Sequence, residues 1–298
     1  MTRALKVLLI SAVLLLAGCS ALQFTYNQAD ALLAWRVDDY FDFDARQKHE
    51  FKQRLDRLLA WHRREQLPEY ARFVQSAVER AQGGLRRDDI LWFVDGLTQR
   101  YRLIVERGYA DAADLLATLN PEQLRAVSKE FAKVNKRFID EHELDGSLEQ
   151  QKRARLKRQL DQISDWTGNL TRAQEQQVET MLEAVPLIEP LRHQDRMRRQ
   201  REFLELLKLR MHRAEFGEKL RQWLLDWDRG RTPEYERAAA ETAERRVEFY
   251  LALEKILTPA QRERALKRLH GFGNDFKALS ERPGTAASAD WLADKISG

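Results

Sequence analysis

Four times the chain sets an apolar residue before a side chain able to cap a helix, with glutamine three positions further on. The copies are "FDARQ" at 43–47, "LNPEQ" at 119–123, "LTRAQ" at 170–174 and "LTPAQ" at 257–261. In each, the short polar side chain can accept a hydrogen bond from the glutamine backbone N–H. The glutamine side chain can in turn accept from the N–H of the cap. This is a capping box, formed by Asp44 with Gln47, Asn120 with Gln123, Thr171 with Gln174 and Thr258 with Gln261. Proline follows the cap in two copies, at the first helical position, where its missing N–H costs nothing. The recurrence predicts four helix starts, a reading we prefer to a ligand-binding signature. A hydrophobic staple explains one leading residue only. Leu124 supplies the apolar partner, whereas the other copies offer Lys48, Glu175 and Arg262. The leading residues are therefore expected in the core between helices.

The rest of the chain agrees with a helical fold. Leu124, Val127, Phe131, Val134 and Phe138 step by three and four, as do Ala265, Leu269, Phe272, Phe276 and Leu279. Charged residues make up 33%, glycine and proline are scarce, and strand-like alternation is nearly absent. The expected fold is all-α, an antiparallel helical bundle or a set of elongated helical hairpins. A short helix is expected from about Asn27. Pro68 should open a helix reaching Gln82, and Asp88 or Asp89 should cap a long one reaching Leu119. The longest pattern runs from the Pro186–Pro190 hinge to Trp227, with a break at Gly217. Unequal gaps between the pentapeptides argue against a solenoid. The domain plan is a signal over 1–18, a helical domain over 19–280 with a possible subdivision near 185–190, and a flexible, disordered tail over 281–298.

The signal rests on Arg3 and Lys6, an apolar run from Val7 to Ala17, and small residues after it. The run is too short to span a bilayer and has the layout of an export signal. Its end, Leu16-Ala17-Gly18-Cys19, resembles the lipobox of bacterial lipoproteins. That resemblance implies diacylglycerol on the Cys19 thiol, cleavage after Gly18 and acylation of the new amino terminus. Several acyl chains anchor stably where one is marginal. Ser20 follows, not aspartate, which points to the outer membrane in the sorting rule for such proteins. Cys19 is the only cysteine, so the mature chain has neither a disulfide nor a thiolate metal site. The net charge of +4 falls by two when Arg3 and Lys6 are removed, and nucleic acid is not expected as a partner.

The repeated "LTxxQ" pattern resembles the Spy/CpxP-like periplasmic proteins, a family of stress-linked chaperones and modulators. Leu32–Phe73, with the lipobox and the later pentapeptides, resembles a family of Gram-negative outer-membrane lipoproteins of unknown function. These resemblances imply a lipid-anchored protein on the periplasmic face of the outer membrane, binding a protein partner or unfolded clients. They transfer no catalytic residue.

No catalytic constellation, metal-ligand spacing or cofactor motif stands out, so no enzyme, metal or cofactor is expected. Neither His49-Glu50 nor His142-Glu143 is followed by the second histidine of a zinc-protease helix. Three surfaces remain. Trp35, Asp38, Asp39, Tyr40, Phe41 and Asp42 could form a docking edge near the anchor, or a corner whose aromatics fill the core and whose acids cap helices. The arginine-rich stretches 151–159 and 192–201 could meet anionic groups, although solvated helix faces are the commoner case.

Overall fold

A computed structural model describes residues 21–281. The signal, Cys19 and the tail beyond Glu281 lie outside them. The described elements are all helical, with no strand among them: α1 (Ala21–Asn27), α2 (Ala29–Phe41), α3 (Ala45–Trp61), a π-helical turn His62–Gln66, α4 (Leu67–Gln82), α5 (Arg87–Leu116), α6 (Pro121–His142), α7 (Leu148–Thr167), α8 (Arg172–Glu183), α9 (Glu189–Lys208), α10 (Arg213–Leu225), α11 (Pro233–Ile256) and α12 (Pro259–Glu281). The fold class is all-α.

Two buried clusters hold the helices together. The first joins Phe43, Leu119 and Val127 to Leu116 of α5, Phe203 and Leu207 of α9, and Phe216 and Leu220 of α10. The second joins Ile163 of α7, Val178 and Leu182 of α8, Val185, and Phe249 and Leu253 of α11. Residues on both sides of 185–190 contribute to each cluster. A third seam joins α12 to α4, with Tyr70 edge-on to Phe276 at 5.6 Å. A Cβ on Gly273 would lie 3.4 Å from Val74, in ordinary van der Waals contact across this seam.

Several helix boundaries differ from expectation. Among the described residues the first helix covers Ala21–Asn27, ahead of the expected start near Asn27, and Gln28 (φ −104°, ψ 11°) separates it from α2. Neither Asp88 nor Asp89 is the N-cap of α5. Arg86 holds that position, and Asp89 at the third helical position accepts from the Arg86 backbone N–H at 3.2 Å. Asp89 is buried because Arg80 and Arg86 both pair with it at 3.0 Å. The break between α9 and α10 falls at 209–212, not at Gly217. Gly217 sits inside α10, where a Cβ would meet Ala113 of α5 at 3.8 Å. Proline 68 lies in the first turn of α4, as its fixed φ favours.

Gly96 has a stricter role. A Cβ there would overlap the Phe73 ring, which is wedged against Phe93 at 5.1 Å and lies under the Arg100 guanidinium at 3.8 Å. Gly96→Ala should therefore cost about 1–3 kcal/mol in urea denaturation, the usual range for overpacking. A Cβ on helical Gly271 meets nothing within 4 Å. Gly271→Ala should stabilise by about 0.5–1 kcal/mol through lost backbone entropy in the unfolded chain.

Candidate functional site

All four pentapeptides start helices through reciprocal bonds. Asp44 accepts from the Gln47 N–H at 2.8 Å and Asn120 from that of Gln123 at 2.9 Å. Thr171 and Thr258 accept from Gln174 and Gln261 at 3.3 and 3.2 Å. Each glutamine Oε1 accepts the N–H of its own cap at 2.9–3.0 Å. That bond fixes the orientation of the amide. Its Nε2 must point away from the cap, and there it meets a second glutamine.

The copies are joined in pairs. Gln47 donates to Gln123 Oε1 at 3.2 Å, and Gln123 donates to Gln47 Oε1 at 2.6 Å. Gln174 and Gln261 do the same at 2.7 and 3.1 Å. Each Nε2 also caps the chain entering the partner box, always two residues before its N-cap. Gln47 donates to the Thr118 carbonyl and Gln123 to that of Asp42. Gln174 donates to the Ile256 carbonyl and Gln261 to that of Asn169. Each pair is thus a local twofold arrangement that binds two helix starts together. Phe43 and Leu119 lie buried beneath the first pair, and Leu170 and Leu257 pack into the cluster beneath the second. A fifth capping box, Ser147 with Gln150, opens α7 and was not singled out from the sequence. Glycine precedes it where the four copies carry an apolar residue, and Gln150 bonds no other glutamine. A capping box alone therefore does not produce the pairing.

The stretch from Trp35 to Asp44 is a tight corner. Asp38 accepts from the Phe43 N–H at 3.0 Å and pairs with Lys48 at 3.0 Å. Asp39 lies 3.7 Å from Arg36, whose guanidinium also covers the Tyr40 ring at 4.8 Å. Tyr40 meets Phe131 edge-on, and Phe41 stacks on Phe43 at 5.5 Å. Asp42 adopts a left-handed conformation (φ 46°) to end α2. These groups are occupied by caps, ion pairs and ring packing. Trp35 alone among the aromatics projects outward, 65% exposed.

The arginine-rich stretches are partly consumed in the same way. Arg155 donates to the carbonyls of Leu182, Val185 and Pro186 at the end of α8, at 2.8–3.2 Å. Arg158 reaches the Glu141 carbonyl and the His142 ring at the end of α6. Arg199 caps α10 through the Trp223 carbonyl at 2.8 Å. A guanidinium over exposed helix carbonyls satisfies acceptors and complements the negative end of the dipole. Arg155 also shares a pocket with Thr242, Arg246, Tyr250 and the buried carboxylate of Glu189. His142 lies beside this region, its pKa lowered first by burial and then by Arg158. Among the described residues no group of three or more His, Cys, Asp and Glu could hold a metal ion, and no helix is long and apolar enough to cross a membrane.

An exposed apolar stripe lies elsewhere, on α5. Leu91, Val94, Leu97 and Tyr101 follow one another along α5, and Trp227 stacks on Tyr101 at 6.2 Å. Further along α5 the side is covered by α10. The periodicity of α5 could reveal an apolar face, but only tertiary packing decides which part stays open.

The glutamine pairs carry a stability prediction. Thr258→Ala removes one cap and should cost about 1 kcal/mol. Gln47→Ala also leaves buried partners unsatisfied, at about 1–3 kcal/mol, and should cost more. In urea denaturation, Gln47→Ala with Gln123→Ala should lose less than the two single losses added, by about 0.5–3 kcal/mol. Additive losses would mean that the pair is not a unit.

The chain matches the model of a family of unknown function, DUF6279, over residues 39–236. No curated protein and no solved structure matches it. The chain belongs to the DUF6279 family, whose function is unknown.

Proposed function

We propose that this protein is a lipoprotein, anchored through Cys19 to the periplasmic face of the outer membrane, that binds unfolded or partly folded proteins without enzymatic activity. Leu16–Cys19 supports the anchor. The observation that carries the binding role is the apolar stripe Leu91, Val94, Leu97 and Tyr101 with Trp227, open to solvent on a charged protein. Continuous exposed apolar surface is costly for a protein and favours a contact partner. Its neighbours Asp95, Gln99 and Arg102 give the polar rim that keeps such a surface soluble. A holdase of the Spy kind needs this combination of apolar face and charged margin, and no fixed pocket.

Two measurements test the reading. Cells given a labelled fatty acid should label the wild-type chain and leave Cys19→Ser unlabelled and uncleaved. Normal labelling of the variant refutes the anchor. The purified protein should suppress aggregation of two unrelated unfolding clients. Val94→Asp with Leu97→Asp, both at exposed positions, should abolish suppression without loss of helical circular dichroism. Equal suppression by the double variant removes the stripe from the mechanism. Absence of suppression in the wild type, with capture of one folded envelope protein, would favour an adaptor.

A further inference from the structure

The amino-terminal helices carry a second apolar face, opposite the one that packs. Gln23 is buried and donates to Asp275, Tyr26 stacks on His62, and Val37 and Phe41 pack against the first cluster. At about 100° per residue these four positions share one side of the nearly continuous α1–α2 rod. Phe24, Leu32 and Trp35 lie within roughly 80° of one another on the other side. They are exposed by 67%, 47% and 65%. Gln28 lies among them on that face, and Asp39 follows Trp35.

We propose that this face lies in the surface of the lipid bilayer to which Cys19 is tethered. The inference rests on the acylation of Cys19 proposed above. The position of the face in the chain identifies its occupant. Ala21, the first described residue of α1, is two residues after Cys19, a reach of about 7 Å even when extended. Phe24 and Trp35 are then about 16 Å apart along the rod, so a helix lying flat brings both to the headgroup boundary. Tryptophan favours that boundary because its ring is apolar and its N–H polar. The packed side holds the rod in place. Arg63 donates to Asn27 at 2.9 Å and to the Leu279 carbonyl at 3.1 Å, clamping α1 between the π-helical turn and α12. The lipid-facing side is therefore presented by a fixed helix.

The test uses the full-length acylated protein in phosphatidylethanolamine–phosphatidylglycerol vesicles, with and without brominated acyl chains. Flotation and fatty-acid labelling report the anchor, and bromine quenching of tryptophan reports the face. Only the share of emission that comes from Trp35, one of seven tryptophans, should be quenched in the wild type, and that quenching should fall by roughly half or more in Trp35→Phe, as expected for a ring about 5–10 Å deep. It should be unchanged in Trp227→Phe. A chain that floats but loses no quenching in Trp35→Phe overturns the proposal while the anchor stands. Quenching lost in Trp291→Phe instead assigns the lipid contact to the tail and also overturns it. A chain that neither labels nor floats overturns both.

Discussion

Each helix start in a reciprocal glutamine pair depends on another start far away in sequence. An amide has two donors and an acceptor oxygen with two lone pairs. In Gln47 and Gln123 these are distributed between the cap of the residue's own helix, the partner amide and the chain entering the partner helix. With the glutamines buried, at 1% and 3% exposure, any loss leaves an unsatisfied group away from water. The arrangement sets the spacing of the helix starts and, through Phe43 and Leu119, the position of the first cluster. The second pair repeats it over the second cluster with the same two-residue offset to the capped carbonyl.

Arginine does the corresponding work at the other helix ends. Arg155, Arg158, Arg199 and Arg262 each donate to carbonyls at a helix C-terminus, and Arg268 does so at Asp165. Glutamine pairs tie the starts of helices and guanidinium groups tie their ends. A chain with few glycines can thus end its helices without many left-handed caps. Much of its basic character is spent inside the fold, so net charge is a poor guide to its ligands.

The part of this organisation that is local in sequence was legible there. The cap and the glutamine lie three residues apart, so each box follows from one turn of helix, and the apolar periods of α6 and α12 follow from one face. The pairing was not legible, because Gln47 and Gln123 are joined only after intervening helices fold back. Nor was the fate of the arginines, since an exposed stripe and a set of caps look alike in one dimension. The corner at 35–44 admitted two readings because its aromatics and acids suit either. Packing engages Asp38, Tyr40, Phe41 and Asp42 and leaves Trp35 outside.

The family match ends before α12 and begins within α2. The segments beyond it meet each other. Helix α12 packs along α4 and contacts α1, Gln23 bonds Asp275, and Arg63 joins Asn27 to the end of α12. The second glutamine pair spans the same boundary, with Gln174 inside the match and Gln261 outside it. The matched region therefore leaves one pair incomplete, and α12 supplies what it lacks. A force applied to the chain near Ala21 would pass through the Tyr26–His62–Tyr70 contacts and α12 as well as along the backbone. The amino-terminal helix is thereby held both by the π-helical turn and by α12, so it is part of the fold and not an appendage to it.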